Sequence, residues 1–278
     1  MAESLIRNYK GIIKFSLIKH EQNGGLSVAR NTGIKDSNGE YIYFLDSDDE
    51  ITENCISSLI ALVEKYPGVD IVQGNVCQYP KEENDRYELK GKLPEFISGN
   101  KKIKKIHSMH LPVNAWNKLI SNKFITNNNL FFKPGIIHED FHWLFFMIKS
   151  VKSFAFTDEY CYIRYILPDS IMRNPNLLPS ISSYLTIAED MLSNLDIDLL
   201  GEQLWRIRGL LKRQNGRIQS DEKYLSLLPR CQMLQAKSLK NCLFVSLILT
   251  DIKWTVYMII KKILGKKLIK KIKGKLKF

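Results

Sequence analysis

The chain has 278 residues, of which 45% are hydrophobic and 25% are charged. This composition is that of a globular protein with a sizeable core, and it excludes a chain that is disordered throughout. The formal net charge is +12, but ten lysines and no acids lie between Lys253 and Phe278, which leaves +2 for the first 252 residues. A nearly neutral body argues against nucleic-acid binding.

Strands and helices are predicted to alternate along the first part of the chain. Residues 2–10 have the character of the end of a helix, and the β-branched and aromatic residues of 12–20 predict a strand. Glycines flank a helical run from Ser27 to Lys35. The apolar stretch 41–45 predicts a strand that runs directly into a cluster of acids.

The second part of the chain continues the alternation. Residues 52–66 predict a helix with Thr52 as its cap and with Ile56, Leu59, Ile60 and Val63 at helical spacing. The remaining predicted elements are a strand at 70–79, a polar loop and a helix at 80–105, a short strand and a helix at 113–132, a helix at 139–150, strand-like segments at 153–165 and two or three amphipathic helices at 177–240. This order predicts an α/β fold with a mostly parallel sheet, in which a ligand binds at the carboxyl ends of the strands.

Three acids, Asp46, Asp48 and Asp49, follow the predicted strand at 41–45. Carboxylates this close repel one another, and a bound cation relieves the repulsion. Oxygen ligands favour Mg²⁺ or Mn²⁺, and these ions favour a diphosphate as a further ligand. The alternative is a solvated turn in which Asp48 or Asp49 caps the next helix.

The stretch "HEQNGGLSVARNTG", followed by "NGEYIYFLDSDDEIT", resembles the nucleotide-sugar-binding half of family 2 glycosyltransferases, which have the GT-A fold. The resemblance continues through "AWNKLI" at 115–120, "GIIHED" at 135–140 and "CYIRYILPDSIM" at 161–172. It therefore covers residues 1–172, with the motifs in the order of the family. A Rossmann-like, mostly parallel sheet flanked by helices is the fold that this resemblance implies.

The resemblance implies a donor site at the acidic strand end. Asp46 and Asp48 match the D-x-D motif of the family, which holds a divalent metal ion, Mg²⁺ or Mn²⁺, against the diphosphate of the nucleotide sugar. Asp49 is expected to assist. Arg30 and Asn31 match a segment of the family that lies near the nucleotide and supports the donor site.

The resemblance also implies a catalytic base and an acceptor side. Asp140 matches the carboxylate that deprotonates the acceptor hydroxyl, and Glu139 is its neighbour. Trp116, Asn117 and Lys118 match a segment that approaches the acceptor. The implied reaction is inverting transfer of a sugar from a nucleotide donor to a glycan or lipid-linked glycan, in the synthesis of a bacterial cell-surface polysaccharide.

Residues 138–142 also spell H-E-x-x-H, the zinc-binding pattern of metalloproteases. A zinc hydrolase would need His138 and His142 on one face of a helix. Pro134 and Gly135 stand just upstream, which places His138 at the start of the helix rather than inside it. We favour a helix-start role for His138 and a partly buried aromatic role for His142, and the zinc hydrolase remains an alternative.

The family normally begins with a β-α-β unit that we do not find before residue 12, so we expect the GT-A domain to be incomplete at its N-terminus. This expectation raises a second alternative, a catalytically impaired remnant that binds a glycan or a partner protein. The predicted organisation is a GT-A domain at 1–172, a helical appendage at 173–245 and a basic tail at 246–278.

Lysine pairs interleave with isoleucine and leucine in the tail, a pattern typical of a segment that lies on an anionic membrane surface. Its apolar runs are shorter than the ~20 residues that span a bilayer. The five cysteines are scattered and include no C-x-x-C pair, which favours reduced thiols. We therefore expect a cytoplasmic protein held peripherally at the inner face of the cell membrane.

Overall fold

A computed structural model describes residues 2–80, 93–100, 103, 114–166 and 176–242. Its contacts divide the chain into two compact units, Met1–Ser183 and Tyr184–Phe278. The predicted tail at 246–278 lies outside the described residues, as does most of the predicted loop and helix at 80–105. The division of the chain at residues 172 and 245 stays a prediction.

The described part of the first unit contains both helices and strands. The helices are α1 Ala2–Asn8, α2 Gly25–Asp36, α3 Cys55–Lys65, α4 Asn122–Asn127, α5 Glu139–Ser150 and α6 Leu178–Ser193, the last of which continues into the second unit. The strands are β1 Tyr41–Tyr43, β2 Glu50–Ile51, β3 Ile71–Tyr79, β4 Phe96–Ser98, β5 Lys118–Ser121 and β6 Ser153–Tyr165. The predictions at 41–45, 70–79, 139–150 and 153–165 are confirmed.

The six strands form one mixed sheet in the order β1-β5-β3-β6-β2, with β4 pairing with β6 off this path. Strands β3 and β6 run parallel. The other four pairings, β1 with β5, β5 with β3, and both β2 and β4 with β6, are antiparallel. The α/β fold is confirmed, but the prediction of a mostly parallel sheet is wrong for the described residues, because β2, β4 and β5 run opposite to β1, β3 and β6.

Helix α3 covers part of the sheet with an apolar face. Cys55, Leu59 and Leu62 are its buried residues, and they belong to one core cluster with Val72 and Ala155 of the sheet. The predicted face is displaced by part of a turn, since Ile56 and Ile60 are 43% and 37% exposed. The predicted cap is also wrong: Asn54 precedes the helix, and the Thr52 hydroxyl donates to the carbonyl of Tyr160 instead.

An aromatic cluster joins the end of β1 to helix α5. Phe44 follows β1, and its ring packs edge-on against Phe132 at 5.5 Å and Trp143 at 6.3 Å between centroids. Trp143 stacks on Phe132 at 4.7 Å, and its indole N–H donates to the carbonyl of Leu130. All three rings are buried, so the strand end and the start of α5 are held by packing close to the acidic turn.

Residues 12–20 contradict the strand prediction. Among the described residues they pair with no strand, and the whole segment is exposed. Ile12 is 98% exposed and Ile13 61%. Residues with high strand propensity are stabilised in a strand when they pack on a pleated, half-buried surface. This segment has no neighbouring strand in the described part of the chain, so that stabilisation is absent.

The second unit contains α7 Leu200–Gln219 and the short 3₁₀ helices Ile197–Leu199 and Glu222–Leu227, and residues 228–242 are also helical. The two or three amphipathic helices expected at 177–240 are thus confirmed. Buried Leu204, Ile207 and Leu211 recur on one face of α7. All five cysteines are free thiols. Within the described residues, no helix has both the length and the apolar character needed to cross a bilayer.

Candidate active site

The acidic turn lies between β1 and β2, at the edge where β2 pairs with β6. The Asp49 carboxylate accepts a hydrogen bond from the Tyr162 hydroxyl at 2.7 Å and another from the backbone N–H of Tyr165 at 2.9 Å. The Tyr162 hydroxyl in turn accepts from the backbone N–H of Asp46 at 3.3 Å. One tyrosine of β6 therefore fixes both ends of the turn.

Tyr162 is itself held in place by stacking. Its ring is fully buried and lies 4.5 Å from the ring of Trp116, with 16° between the planes. Trp116 is 6% exposed. The residue that anchors the acids is thus rigidly placed by the core beneath the site.

The carboxylates of Asp46, Asp48 and Asp49 bring one oxygen each to within 4.8 Å of one another. Asp48 is exposed, while Asp46 and Asp49 are half-buried. Burial raises the pKa of Asp49, and the neighbouring carboxylates add to this rise, although hydrogen bonds from Tyr165 and Tyr162 oppose it. Clustered hard oxygen donors with an open side suit Mg²⁺ or Mn²⁺.

The alternative in which Asp48 or Asp49 caps the next helix is wrong. Helix α3 begins after Asn54 and receives no side-chain cap hydrogen bond. The carboxylates of the turn instead lie close to one another, and Asp49 accepts a hydrogen bond from Tyr162 of β6.

Arg30, in α2, connects the acidic turn to helix α5. Its Nη2 donates to Asp46 Oδ1 at 2.7 Å, and its Nη1 donates to Glu139 Oε1 at 2.6 Å. The Arg30 and Glu139 side chains are 7% and 9% exposed, and the guanidinium lies over the Phe132 ring at 5.2 Å. A buried arginine with two carboxylate partners is compensated in charge and fixed in geometry.

Asn31 is hydrogen-bonded to the backbone of Phe132, whose ring lies against Arg30. Its amide nitrogen donates to the carbonyl of Phe132 at 2.7 Å, and its amide oxygen accepts from the backbone N–H of Phe132 at 2.8 Å. Both polar atoms of Asn31 are thus engaged with the backbone under the Arg30 guanidinium. These two hydrogen bonds hold the Asn31 side chain against the Phe132 backbone.

Helix α5 begins with the two acids Glu139 and Asp140 in its first turn. Burial raises the pKa of Asp140 to about 7, and the neighbouring Glu139 adds to the rise. The backbone N–H of Phe141, which donates to Asp140 Oδ1 at 2.8 Å, and the Arg30 guanidinium act in the opposite direction. A carboxyl group with a pKa near neutrality can both accept and release a proton at physiological pH.

The predicted acceptor residues lie in the interior. Asn117, with φ of 59°, is fully buried and donates to the carbonyl of Gly74 at 2.6 Å. Lys118 is 1% exposed, and its ammonium donates to the carbonyl of Asn114 at 2.8 Å. Burial lowers the pKa of Lys118 to about 7, and the negative charge of Asp140 partly offsets this effect. Both side chains are therefore buried and hydrogen-bonded to backbone carbonyls, and neither lies on the surface of the site.

The H-E-x-x-H interpretation is contradicted by geometry. His138 precedes α5 with φ of 67°, so the two histidines do not share a helix face, and the His138 ring pairs with the Ser180 hydroxyl at 2.8 Å. Glu139 is bound to Arg30, and buried His142 lies against the Phe146 ring. In the part of the chain that the structure describes, the metal-capable group is the three aspartates.

Two functional contacts are absent from the predictions. Tyr162, which anchors the turn, lies in the quoted motif "CYIRYILPDSIM" but carries no motif signal of its own. The link from Arg30 to Glu139 joins residues 109 positions apart, and no local pattern reports such a contact.

The described residues thus combine a mixed α/β fold with an acidic turn at a strand end and a second acid pair at the start of helix α5. The family model described as "Glycosyl transferase family 2" matches residues 2–148. The chain therefore belongs to glycosyl transferase family 2. This confirms the family resemblance drawn from the sequence.

Curated relatives match parts of the chain. TarP of Staphylococcus aureus (strain N315), a poly(ribitol-phosphate) beta-N-acetylglucosaminyltransferase, is 45% identical over 56 residues, which are 20% of this chain and 17% of TarP. The uncharacterized glycosyltransferase EpsJ of Bacillus subtilis (strain 168) is 29% identical over 166 residues, 56% of this chain and 46% of EpsJ. The chain spans less than half the length of either relative.

A solved structure shares the fold. The S. aureus TarS fragment 1–349, crystallised in complex with UDP-GlcNAc, superposes with a TM-score of 0.56 at 14% sequence identity. The match covers 86% of this chain and 76% of the TarS chain. The GT-A architecture is thus shared in spite of low identity.

Proposed function

We propose that this protein transfers a sugar from a nucleotide-sugar donor to a hydroxyl of a glycan or lipid-linked glycan, with inversion at the anomeric carbon. The observation that carries the proposal is the pairing of two acid groups across one site. The turn with Asp46, Asp48 and Asp49 faces the acids that open α5, and Arg30 ties the two together. Membership of the family supplies the reaction class.

Asp140 is the proposed general base. Its carboxylate takes the proton of the acceptor hydroxyl, whose oxygen then forms a bond to the anomeric carbon from the face opposite the diphosphate. The bond from that carbon to the diphosphate oxygen breaks, and the electron pair leaves with the nucleoside diphosphate. A pKa of about 7 gives Asp140 enough basicity for this task while leaving much of it deprotonated at neutral pH.

Asp46 and Asp48, with Asp49, are the residues proposed to hold Mg²⁺ or Mn²⁺ and to face the donor diphosphate. Among the residues that the structure describes, the site contains five carboxylates, from Asp46, Asp48, Asp49, Glu139 and Asp140, and the Arg30 guanidinium bonds two of them. This excess of negative charge would repel a diphosphate. A divalent cation, when bound, supplies positive charge that neutralises the leaving diphosphate.

Arg30 and Asn31 complete the donor side of the proposal as supporting residues. The contacts of Asn31 with the Phe132 backbone favour a structural role. On the acceptor side, we propose that Asn117 and Lys118 stabilise the backbone around Trp116 through their hydrogen bonds to backbone carbonyls.

The relatives suggest where the protein acts. TarP is named for the glycosylation of a poly(ribitol phosphate), and the TarS fragment was crystallised with UDP-GlcNAc. We therefore propose a role in synthesis of a bacterial cell-surface glycan, with UDP-GlcNAc as the first donor to test. The lysine-rich sequence at 246–278 supports a peripheral position at the inner face of the cell membrane.

The experiment measures nucleoside diphosphate release from a panel of nucleotide sugars by the purified chain with Mn²⁺, with and without a glycan acceptor. We expect one donor to be consumed, and consumption to stop when Mn²⁺ is removed by a chelator. Asp48→Asn should abolish turnover, because it removes an exposed ligand without disturbing the buried anchor of the turn.

The matched control is Asp198→Asn, the same change in the second unit, where Asp198 is exposed. It should leave turnover unchanged. Turnover that survives Asp48→Asn, or that needs no divalent cation, would contradict the proposed donor site. A chain that folds but consumes no donor would favour the binding-protein alternative.

A further inference from the structure

Arg30 is shared between two carboxylates that belong to different parts of the site. One is Asp46, at 2.7 Å, whose oxygens belong to the acidic turn. The other is Glu139, at 2.6 Å, which opens the helix that carries Asp140. The Arg30 guanidinium therefore contacts both the proposed donor side and the proposed acceptor side.

The rest of the Arg30 environment is fixed. The guanidinium lies over the buried ring of Phe132 at 5.2 Å, and the Phe132 backbone is held by both amide atoms of Asn31. With Arg30 only 8% exposed, its charge is compensated by these two carboxylates rather than by water. A change in the charge of either carboxylate must therefore alter the pull of Arg30 on the other.

A divalent cation at the acidic turn would compete with Arg30 for Asp46. The guanidinium already bonds Asp46 Oδ1, and like charges a few ångströms apart in a half-buried site repel strongly. In the part of the chain that the structure describes, the other two aspartates have different surroundings: Asp49 binds Tyr162 and Tyr165, and Asp48 is exposed. The competition thus falls on Asp46.

We propose that Arg30 is a positioning residue that restrains cation binding at the acidic turn and couples it to helix α5. When Asp46 is drawn to a cation, the charge of Arg30 is compensated more fully by Glu139, which tightens the start of the helix that bears Asp140. The inference rests on the proposed function for the identity of the cation site, and it adds a coupling that neither the sequence motifs nor the relatives assign.

The coupling predicts opposite changes in Mn²⁺ affinity for two substitutions. Arg30→Gln removes the competing charge, so the affinity of the turn for Mn²⁺ should rise by about tenfold, although turnover falls. Glu139→Gln leaves Arg30 bonded to Asp46 without its second described carboxylate partner, so Mn²⁺ affinity should fall by roughly tenfold. A residue with a merely structural role would loosen the turn on removal and weaken the binding of Mn²⁺.

The test is a titration of the purified full-length chain with Mn²⁺ alone, in which free Mn²⁺ is followed by electron paramagnetic resonance. The variants are Arg30→Gln, Glu139→Gln and the double variant, which should bind Mn²⁺ about as tightly as Arg30→Gln. Arg213→Gln is the matched control, because Arg213 is exposed on α7 in the second unit. It should bind Mn²⁺ with wild-type affinity, and thermal melts establish that each variant is folded.

Tighter Mn²⁺ binding by Arg30→Gln together with weaker binding by Glu139→Gln supports the coupling. Unchanged or weaker binding by a folded Arg30→Gln overturns it. If Arg30→Gln does not fold, Glu139→Gln decides alone, and unchanged affinity overturns the coupling. A wild-type chain that takes up no Mn²⁺ overturns the proposed metal site itself, which distinguishes that failure from a failure of the coupling.

Discussion

Replacing Asp140 by Asn is expected to abolish transfer while stabilising the protein at alkaline pH. Burial raises the pKa of Asp140 from 3.8 to about 7 in the folded protein, so folding favours its protonated form. The stability associated with that proton is fully present below pH 4 and is lost as pH rises through 7. Asparagine resembles the protonated acid and carries no such loss.

The magnitude follows from the size of the shift. Each pKa unit corresponds to about 1.4 kcal/mol, so a change from 3.8 to about 7 gives an upper limit of about 4 kcal/mol at pH 8. The Asp140 side chain retains contact with solvent, which screens the charge and reduces the expected gain to about 2 kcal/mol. The hydrogen bond from the Phe141 backbone survives, since an amide oxygen also accepts.

The assay is urea unfolding of the wild type and Asp140→Asn at pH 4, 6 and 8. We expect equal free energies of unfolding at pH 4 and a variant more stable by about 2 kcal/mol at pH 8. Wild-type transfer should rise with pH through about 7, and the variant should lose at least about a hundredfold in rate. A variant that is equally or less stable at pH 8 would refute the raised pKa, and one that retains transfer would refute the role as base.

Four further substitutions test the scaffold by urea unfolding. Gly74→Ala should lower the free energy of unfolding by about 1–3 kcal/mol, because its new Cβ would lie 2.4 Å from a cysteine sulfur. Gly209→Ala in α7 is the matched control: its Cβ meets open space, so the free energy of unfolding should rise by about 0.5–1 kcal/mol. Tyr162→Phe should cost about 2 kcal/mol, since it removes a hydrogen bond to the Asp49 carboxylate while keeping the stacked ring. Asn31→Ala should cost about 2 kcal/mol through loss of both of its backbone hydrogen bonds, and a change below about 0.5 kcal/mol would contradict the proposed structural role.

Local patterns in the sequence predicted the elements that carry the site. The apolar run before Asp46 forms β1, and the predicted helix 139–150 coincides with α5. Both elements are packed where the pattern places them, so intrinsic preference and tertiary structure agree. The clustering of the three aspartates also follows from their adjacency along the chain.

The failures have a common physical cause. Residues 12–20 have strong strand character, but a strand needs a neighbouring strand to satisfy its backbone, and the described part of the chain provides none for them. The direction of β5 is likewise set by its neighbours in the sheet rather than by its own residues.

The same limit applies to side chains. Lys118 and Asn117 have the composition of a surface segment, yet backbone carbonyls satisfy them in the interior. The two bonds of Arg30 depend on the packing of α2, the acidic turn and α5 together. Such long-range contacts are set by tertiary structure and are invisible to patterns of spacing.

The most direct test of the central claim is the melting temperature of the wild-type chain and of Asp48→Asn with Mn²⁺ and individual nucleoside diphosphates. Ligand at about a hundred times its Kd stabilises a folded protein by about 2.7 kcal/mol. We therefore predict that one nucleotide raises the wild-type melting temperature by about 5 °C or more in the presence of Mn²⁺, and that Asp48→Asn shows no such rise. No shift with any nucleotide, or an equal shift in Asp48→Asn, would contradict the assignment of the acidic turn as the donor site.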